Sequence, residues 1–336
     1  MNGFPLNSAG VRFWQATGYT ASDVVIASKD LDNVLAALFT VLPDRKLSCA
    51  VSQHLNTVKQ GHFPSVFNFI LGLVQALPFD LPQGSFIVLL HDGYFNSFKE
   101  SLARVPIFAF ARPRTEHRVM LMPDPVFTQT NAYAAERIKL STHSESSPWQ
   151  SKKPAIFWRG GANGVSYFGE KWRDAPRVRL CLESKRLSNK ALFDASITSV
   201  SILNQDIAAA ITNAGLCASS VPFDEFYNYK HLIDIDGEHC TWQSHFMKLA
   251  SDSTFIKVES PLIQWYHDRL KPWGNYIPIA PDLSDLPGIV EWVHAHDIEC
   301  RRIATAGLAE ASTITLSHAA LNFGYDLKNI LAARRG

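Results

Sequence analysis

Three stretches of this chain bring together residue types that handle phosphate or move a proton. The first is Phe157-Trp158-Arg159-Gly160-Gly161-Ala162-Asn163-Gly164, followed by Trp172-Arg173-Asp174-Ala175-Pro176-Arg177-Val178-Arg179. Glycines let backbone amides approach an anion closely, and guanidiniums neutralise it, a pairing suited to pyrophosphate. A glycine-rich turn leading into a solvated basic helix fits the same spacing equally well. The second stretch runs from Tyr229-Lys230 through Asp234-Ile235-Asp236-Gly237 to Thr241-Trp242. It reads as a strand, a glycine-containing loop and a threonine-capped helix, whose free amides favour phosphate. Asp234 and Asp236 share one face of that strand, where their hard oxygens suit a divalent ion or a purely structural hydrogen-bonding role. The third is Leu90-His91-Asp92-Gly93. A carboxylate at the carboxyl end of an apolar strand is placed to take a proton from a hydroxyl, with His91 the alternative base, although aspartate before glycine is also ordinary turn chemistry.

Other candidates are weaker. Glu259 follows an apolar strand and suits ribose hydroxyls or a surface loop equally. Trp158, Trp242, Trp265 and Trp273 are packing residues before they are stacking platforms. The twelve histidines form no recognised zinc spacing, His294-x-His296 falling on an expected helix surface, and neither Gly-x-Ser-x-Gly nor a Walker loop occurs. The five cysteines are scattered, without a Cys-x-x-Cys pair, as reduced buried thiols are. No metal is expected.

The elements that position these residues follow from periodicity. The first 80 or so residues read as mostly helical, with apolar spacing at Val24, Val25, Leu31, Val34, Leu35 and Leu38 and a second helix over 64–77. Short apolar runs at 86–90, 107–110 and 119–122 read as buried strands. The polar stretch 141–153 is the expected linker. Beyond it strands (155–158, 231–236, 254–258, 276–280) alternate with helices (173–185, 241–250, 262–270, 284–295), the pattern of an α/β domain built on a parallel sheet. Ligands of such sheets sit beyond the carboxyl ends of the strands, where all three stretches fall.

Composition narrows the function classes. Lys plus Arg (32) balance Asp plus Glu (31), so no broad field favours nucleic acid, and 46% hydrophobic content supports packed cores. The longest apolar runs fall short of the ~20 residues a bilayer span needs, leaving peripheral contact as the only membrane association expected. Residues 1–10 lack secretory-signal features, so the expected location is cytoplasmic.

Taken in order, these segments resemble glycosyltransferase family 90, the family of protein O-glucosyltransferases and capsule-associated xylosyltransferases. The matches run from about residue 85 to about residue 311: Phe157-Trp158-Arg159-Gly160 with Arg173-Asp174, Tyr229-Lys230 through Asp236-Gly237, Lys257-Val258-Glu259-Ser260, Gln264-Trp265-Tyr266, and Leu270-Lys271-Pro272-Trp273 into Tyr276-Ile277-Pro278 and Asp282 to Leu286. The resemblance implies a GT-B architecture, two Rossmann-like domains facing a cleft. We expect an acceptor-binding domain over 1–148, a nucleotide-sugar-binding domain over 149–315, and a C-terminal helix over 316–336 that packs back on the first. It further implies an inverting, metal-independent transferase without cofactor, using a UDP-sugar donor and a glycan or lipid-linked glycan acceptor.

Asp92, preceding Pro106-Ile107-Phe108-Ala109-Phe110, matches the family's catalytic base. Arg159, Gly160, Arg173, Asp236, Gly237, Thr241, Trp242, Gln243 and Glu259 are the expected donor-site residues. Eukaryotic members carry a pyrophosphate-gripping arginine where this chain has Gln243, so the charge must come from elsewhere, with Arg159, Arg173 and Lys248 the candidates. With its Ala333-Arg334-Arg335-Gly336 ending, the chain looks more like the cytoplasmic bacterial branch associated with lipopolysaccharide or capsule assembly, at the inner face of the membrane. The rival readings are a metal-dependent GT-A transferase using Asp234 and Asp236, and a non-catalytic nucleotide-sugar or carbohydrate binder.

Overall fold

The computed structural model describes residues 8–53, 62–91, 100–187, 189 and 192–336. The chain forms two compact units, one of residues 1–132, 261–267 and 314–336, the other of 133–260 and 268–313.

The first unit is built on a five-stranded sheet of β1 (Ala36–Val41), β2 (Leu47–Val51), β3 (Gly84–Leu89), β4 (Ile107–Ala109) and β5 (Val119–Leu121), ordered β2-β1-β3-β4-β5. β1 runs antiparallel to β2 and β3, while β3, β4 and β5 are parallel. The sheet is therefore mixed and departs from an all-parallel Rossmann-like one. The helical reading of Val34, Leu35 and Leu38 is corrected here: Val34 and Leu35 form a half-buried bend, and Leu38 lies in β1, whose apolar residues on both faces mimic helical spacing. Phe39 of β1 stacks on Phe86 of β3 with ring centroids 5.5 Å apart, a cross-strand contact that local propensity does not encode.

Helix Phe63–Ala76 buries Val66, Ile70, Leu73 and Val74, a 4-3-1 stripe fit for a sheet face. The C-terminal helix Leu316–Leu331 closes this unit's core, with Phe323 edge-on to Phe108 at 4.7 Å. The helix expected over 262–270 does not form. Leu262–Ile263 instead pairs antiparallel with Arg112–Pro113, and Gln264, Trp265 and Tyr266 are all buried, so the apolar run has no solvent face to give a helix its period.

The second unit is a doubly wound α/β domain. β6 (Lys153–Gly161), β7 (Phe193–Ser199), β8 (Tyr229–Asp234), β9 (Thr254–Val258) and β10 (Ile277–Ile279) are parallel and ordered β10-β9-β8-β6-β7. Counted from the first strand of the unit this is the order 2-1-3-4-5, whose direction reverses between β6 and β8. Helices Pro176–Leu187, Gln205–Asn213 and Gln243–Leu249 follow β6, β7 and β8 in turn. The core is aliphatic, with Ile156, Ile233, Ile256 and Ile277 wholly buried on four adjacent strands.

The polar stretch 141–153 is no linker. It completes helix Ala134–Ser146, where its hydroxyls face solvent, and enters β6 inside this unit, with Lys152 buried against the Asp252 carbonyl and Ser253. Among the described residues no helix is long and apolar enough to cross a membrane.

Candidate functional site

The direction reversal in the second unit leaves the loops after β6 and β8 diverging to opposite sides of the sheet, which opens a crevice at their carboxyl ends. A cavity of about 350 Å³ occupies that place, lined by Trp158, Arg159 and Gly160 from β6, Arg177 from the following helix, and Thr241, Ser244 and Lys248 after β8. Val221, Phe223 and Phe226 supply its apolar wall.

Glycines set how closely the two loops approach. Gly164 adopts φ +85°, and a Cβ there would fall 2.9 Å from the Gly237 carbonyl carbon. A Cβ on Gly237 would in turn meet Asn163 at 2.9 Å and the Arg177 guanidinium carbon at 3.0 Å. Only hydrogen fits at either position.

Arg177 joins these loops. Its Nε donates to the Asp236 carbonyl (3.2 Å), Nη1 to the Gly161 carbonyl (2.9 Å) and Nη2 to the Ile235 carbonyl (3.3 Å). The side chain is 8% exposed and burial lowers its pKa, although Asp234 and Asp236 oppose that shift. A guanidinium has five N–H donors; three serve the carbonyls, which leaves two on a residue that lines the cavity. Sequence alone favours Arg159 and Arg173 for the donor site and passes over Arg177. Its signal lay in phase: Arg177, Cys181 and Ser184 recur at i, i+4 and i+7 and are all buried, so one cation occupies the apolar stripe of its helix.

Arg159 lines the cavity with its charge engaged. Nη2 bonds the Asp194 carboxylate at 2.7 Å, Nη1 bonds the Trp158 and Asp194 carbonyls, and the guanidinium rests 4.5 Å over the Phe157 ring. Arg173 is not brought there. It is exposed, stacks 4.1 Å over its neighbour Trp172 and lies in the irregular turn before the helix rather than on it.

Asp234 is 1% exposed and accepts three bonds, from Thr241 Oγ1 (2.7 Å), His245 Nδ1 (2.9 Å) and Lys248 Nζ (2.7 Å). Burial opposes ionisation, yet Lys248 and His245 prevail and hold the carboxyl well below the usual range. Its oxygens are thereby committed to protein donors. Asp236 behaves oppositely: burial, then the charge of Asp234, raises its pKa despite the Ser260 hydrogen bond.

Thr241 therefore does not cap the next helix as expected. That helix is only seven residues long, begins at Gln243, and has Trp242 at its N-cap without a side-chain cap. Trp242 and Gln243 stand at its start and do not line the cavity. Glu259, just beyond β9, accepts from the Tyr276 hydroxyl at 2.7 Å and lies 3.7 Å from Lys257 Nζ, outside the lining. In the first unit, β3 ends at Leu89 and Leu90 donates its amide to Leu35; Asp92 lies outside the described residues.

Residues 52–312 match the family model for glycosyl transferase family 90. A protein O-glucosyltransferase 2 of Danio rerio is 29% identical over 249 residues, covering 73% of this chain and 46% of its own length. A protein O-glucosyltransferase 3 of Rattus norvegicus is 31% identical over 233 residues, covering 68% and 42%. The chain thus spans less than half the length of these relatives. A solved structure, the crystal structure of a GtfA/B complex, aligns with 87% of this chain and 62% of its own at 11% identity and a TM-score of 0.39.

Proposed function

This chain belongs to glycosyl transferase family 90, and from that premise we propose that it transfers a sugar from a UDP-sugar to the hydroxyl of a glycan acceptor, inverting the anomeric centre. The observation that carries the donor half of this reading is the crevice between β6 and β8, where Arg177 and the glycine loops meet an apolar wall. Backbone amides near Gly160 and the two remaining Arg177 N–H groups suit a diphosphate, and Phe223, Phe226 and Trp158 suit the face of a base or sugar.

In this reaction Asp92, the family's base position, takes the proton of the acceptor oxygen as that oxygen attacks the anomeric carbon. The bond to the nucleotide breaks on the opposite face. Negative charge developing on the leaving UDP is met by Arg177, already held in place by three carbonyls, so no reorganisation is needed at the moment of reaction. Asp234 takes no part in holding a metal in this scheme, because Lys248, His245 and Thr241 occupy its carboxylate. The names of the matched relatives specify protein O-glucosylation, so UDP-glucose is the first donor to try and a protein hydroxyl the rival acceptor. Surface-polysaccharide assembly on the cytoplasmic face is the setting proposed for a glycan acceptor.

A thermal-shift series with UDP-glucose, UDP-xylose, UDP-galactose and GDP-sugars, followed by turnover assays in excess EDTA, tests this. A ligand at a hundred times its Kd adds ~2.7 kcal/mol of stability. Stabilisation by GDP-sugars alone would overturn the donor, loss of turnover in EDTA the metal-free mechanism, and binding without turnover the assignment as an enzyme.

A further inference from the structure

Lys248 has more hydrogen-bonding capacity than its surroundings use. The side chain is 1% exposed, on the inner face of helix Gln243–Leu249, and lines the same cavity as Thr241 and Ser244, which precede it by seven and four positions. An ammonium carries three donors. Among the described residues Lys248 Nζ has one acceptor, Asp234 Oδ1 at 2.7 Å, so two donors are left over.

Nor does Asp234 depend on this lysine alone, since Thr241 and His245 both bond its other oxygen. A buried ion pair is a poor source of stability: desolvation offsets much of its attraction, and an apolar pair of similar volume is often as stable or more so. Burial indeed lowers the Lys248 pKa, against the pull of Asp234. A charged residue at an inner helix position beside a cavity therefore points to a ligand.

We propose that Lys248 is a donor-phosphate ligand, the second cation of the pocket beside Arg177, with Asp234 as the counter-ion that keeps it charged when the pocket is empty. The inference rests on the donor reading above and deepens it. It also locates the charge that Gln243, at the start of the same helix and outside the lining, does not supply.

Calorimetric titration of the full chain with UDP and with uridine tests it, using the wild type, Lys248→Gln and the double variant Asp234→Asn/Lys248→Met, in which neither member of the pair is charged. In the double variant UDP should bind about ten- to a hundredfold more weakly, the range of one charge-assisted bond, with uridine unchanged. Lys248→Gln alone, which leaves Asp234 its bonds from Thr241 and His245 and carries no charge, should lose UDP affinity to a similar extent, again with uridine unchanged. Should the double variant fail to fold, this single variant decides. Wild-type UDP affinity in the double variant or in Lys248→Gln would overturn the role of Lys248 and leave the donor reading standing. A wild type that binds no UDP would overturn both.

Discussion

Gly237 lies so near Arg177 that a methyl group at 237 would stand 3.0 Å from the guanidinium carbon, and that carbon is tethered to three backbone carbonyls. The absence of a side chain in one loop is thus what lets the cation of another element join the loops after β6 and β8.

Gly237→Ala should therefore act on binding and stability together. Overpacking of this kind costs about 1–3 kcal/mol, and the displaced guanidinium should weaken UDP affinity. Gly288→Ala, in a helix with nothing within 4 Å of the added carbon, is the control and should stabilise by about 0.5–1 kcal/mol. Urea denaturation of both variants measures the contrast; equal behaviour would remove the packing argument.

Arg177→Lys keeps a positive charge and loses the planar fork. A single ammonium does not span the carbonyls of Gly161, Ile235 and Asp236, so buried acceptors are left unpaired, at about 1–3 kcal/mol each. Lower unfolding free energy with roughly tenfold or greater loss of UDP affinity is expected. Arg173→Lys, on an exposed side chain, should change neither by a measurable amount.

Asp92→Asn should separate chemistry from binding. Removing a general base lowers turnover by about 10²–10⁴, and UDP affinity should stay at the wild-type value. Near-normal transfer by this variant would take the role of base away from Asp92.

His231 predicts a pH dependence of stability. Buried on β8 between Trp149 and His294, it has its pKa pushed down from 6.5 to about 3, chiefly by desolvation. Above pH 6.5 neither folded nor unfolded chain protonates it, so its contribution is constant. Between 6.5 and about 3 the unfolded chain binds a proton that the folded one refuses, and stability falls by about 1.4 kcal/mol per pH unit. Melting curves of the wild type and His231→Phe at pH 7, 5.5 and 4.5 should diverge in that direction. Parallel curves would show that the imidazole protonates in place.

Much of the candidate site was legible in the chain itself. Gly160, Gly164 and Gly237 announce close backbone approach wherever they occur, and an apolar run ending in charged and glycine residues marks the carboxyl end of a buried strand. The 2-1-3-4-5 order was not legible, since β7 has no distinctive run and strand neighbours are chosen by long-range pairing. The reading of Leu38 and of 262–270 as helix failed for a related reason: residues buried on both faces lose the polar face that distinguishes one period from the other, and Val34 and Leu35 lie in the bend that leads into β1.

The sequence by itself determined the α/β class of the second half, the glycine loops and the family, because these depend on residue types at short separations. Which arginine serves the pocket was decided only by tertiary structure. Arg173 and Arg177 are four apart and would share a face of one continuous helix, but non-helical backbone at Gly169 and Lys171 and a helix start at Pro176 leave the first in a solvent-exposed turn and place the second on the buried stripe. The partners of Asp234 were decided the same way: a carboxylate takes whichever donors the fold brings within 3 Å, and here those are Thr241, His245 and Lys248.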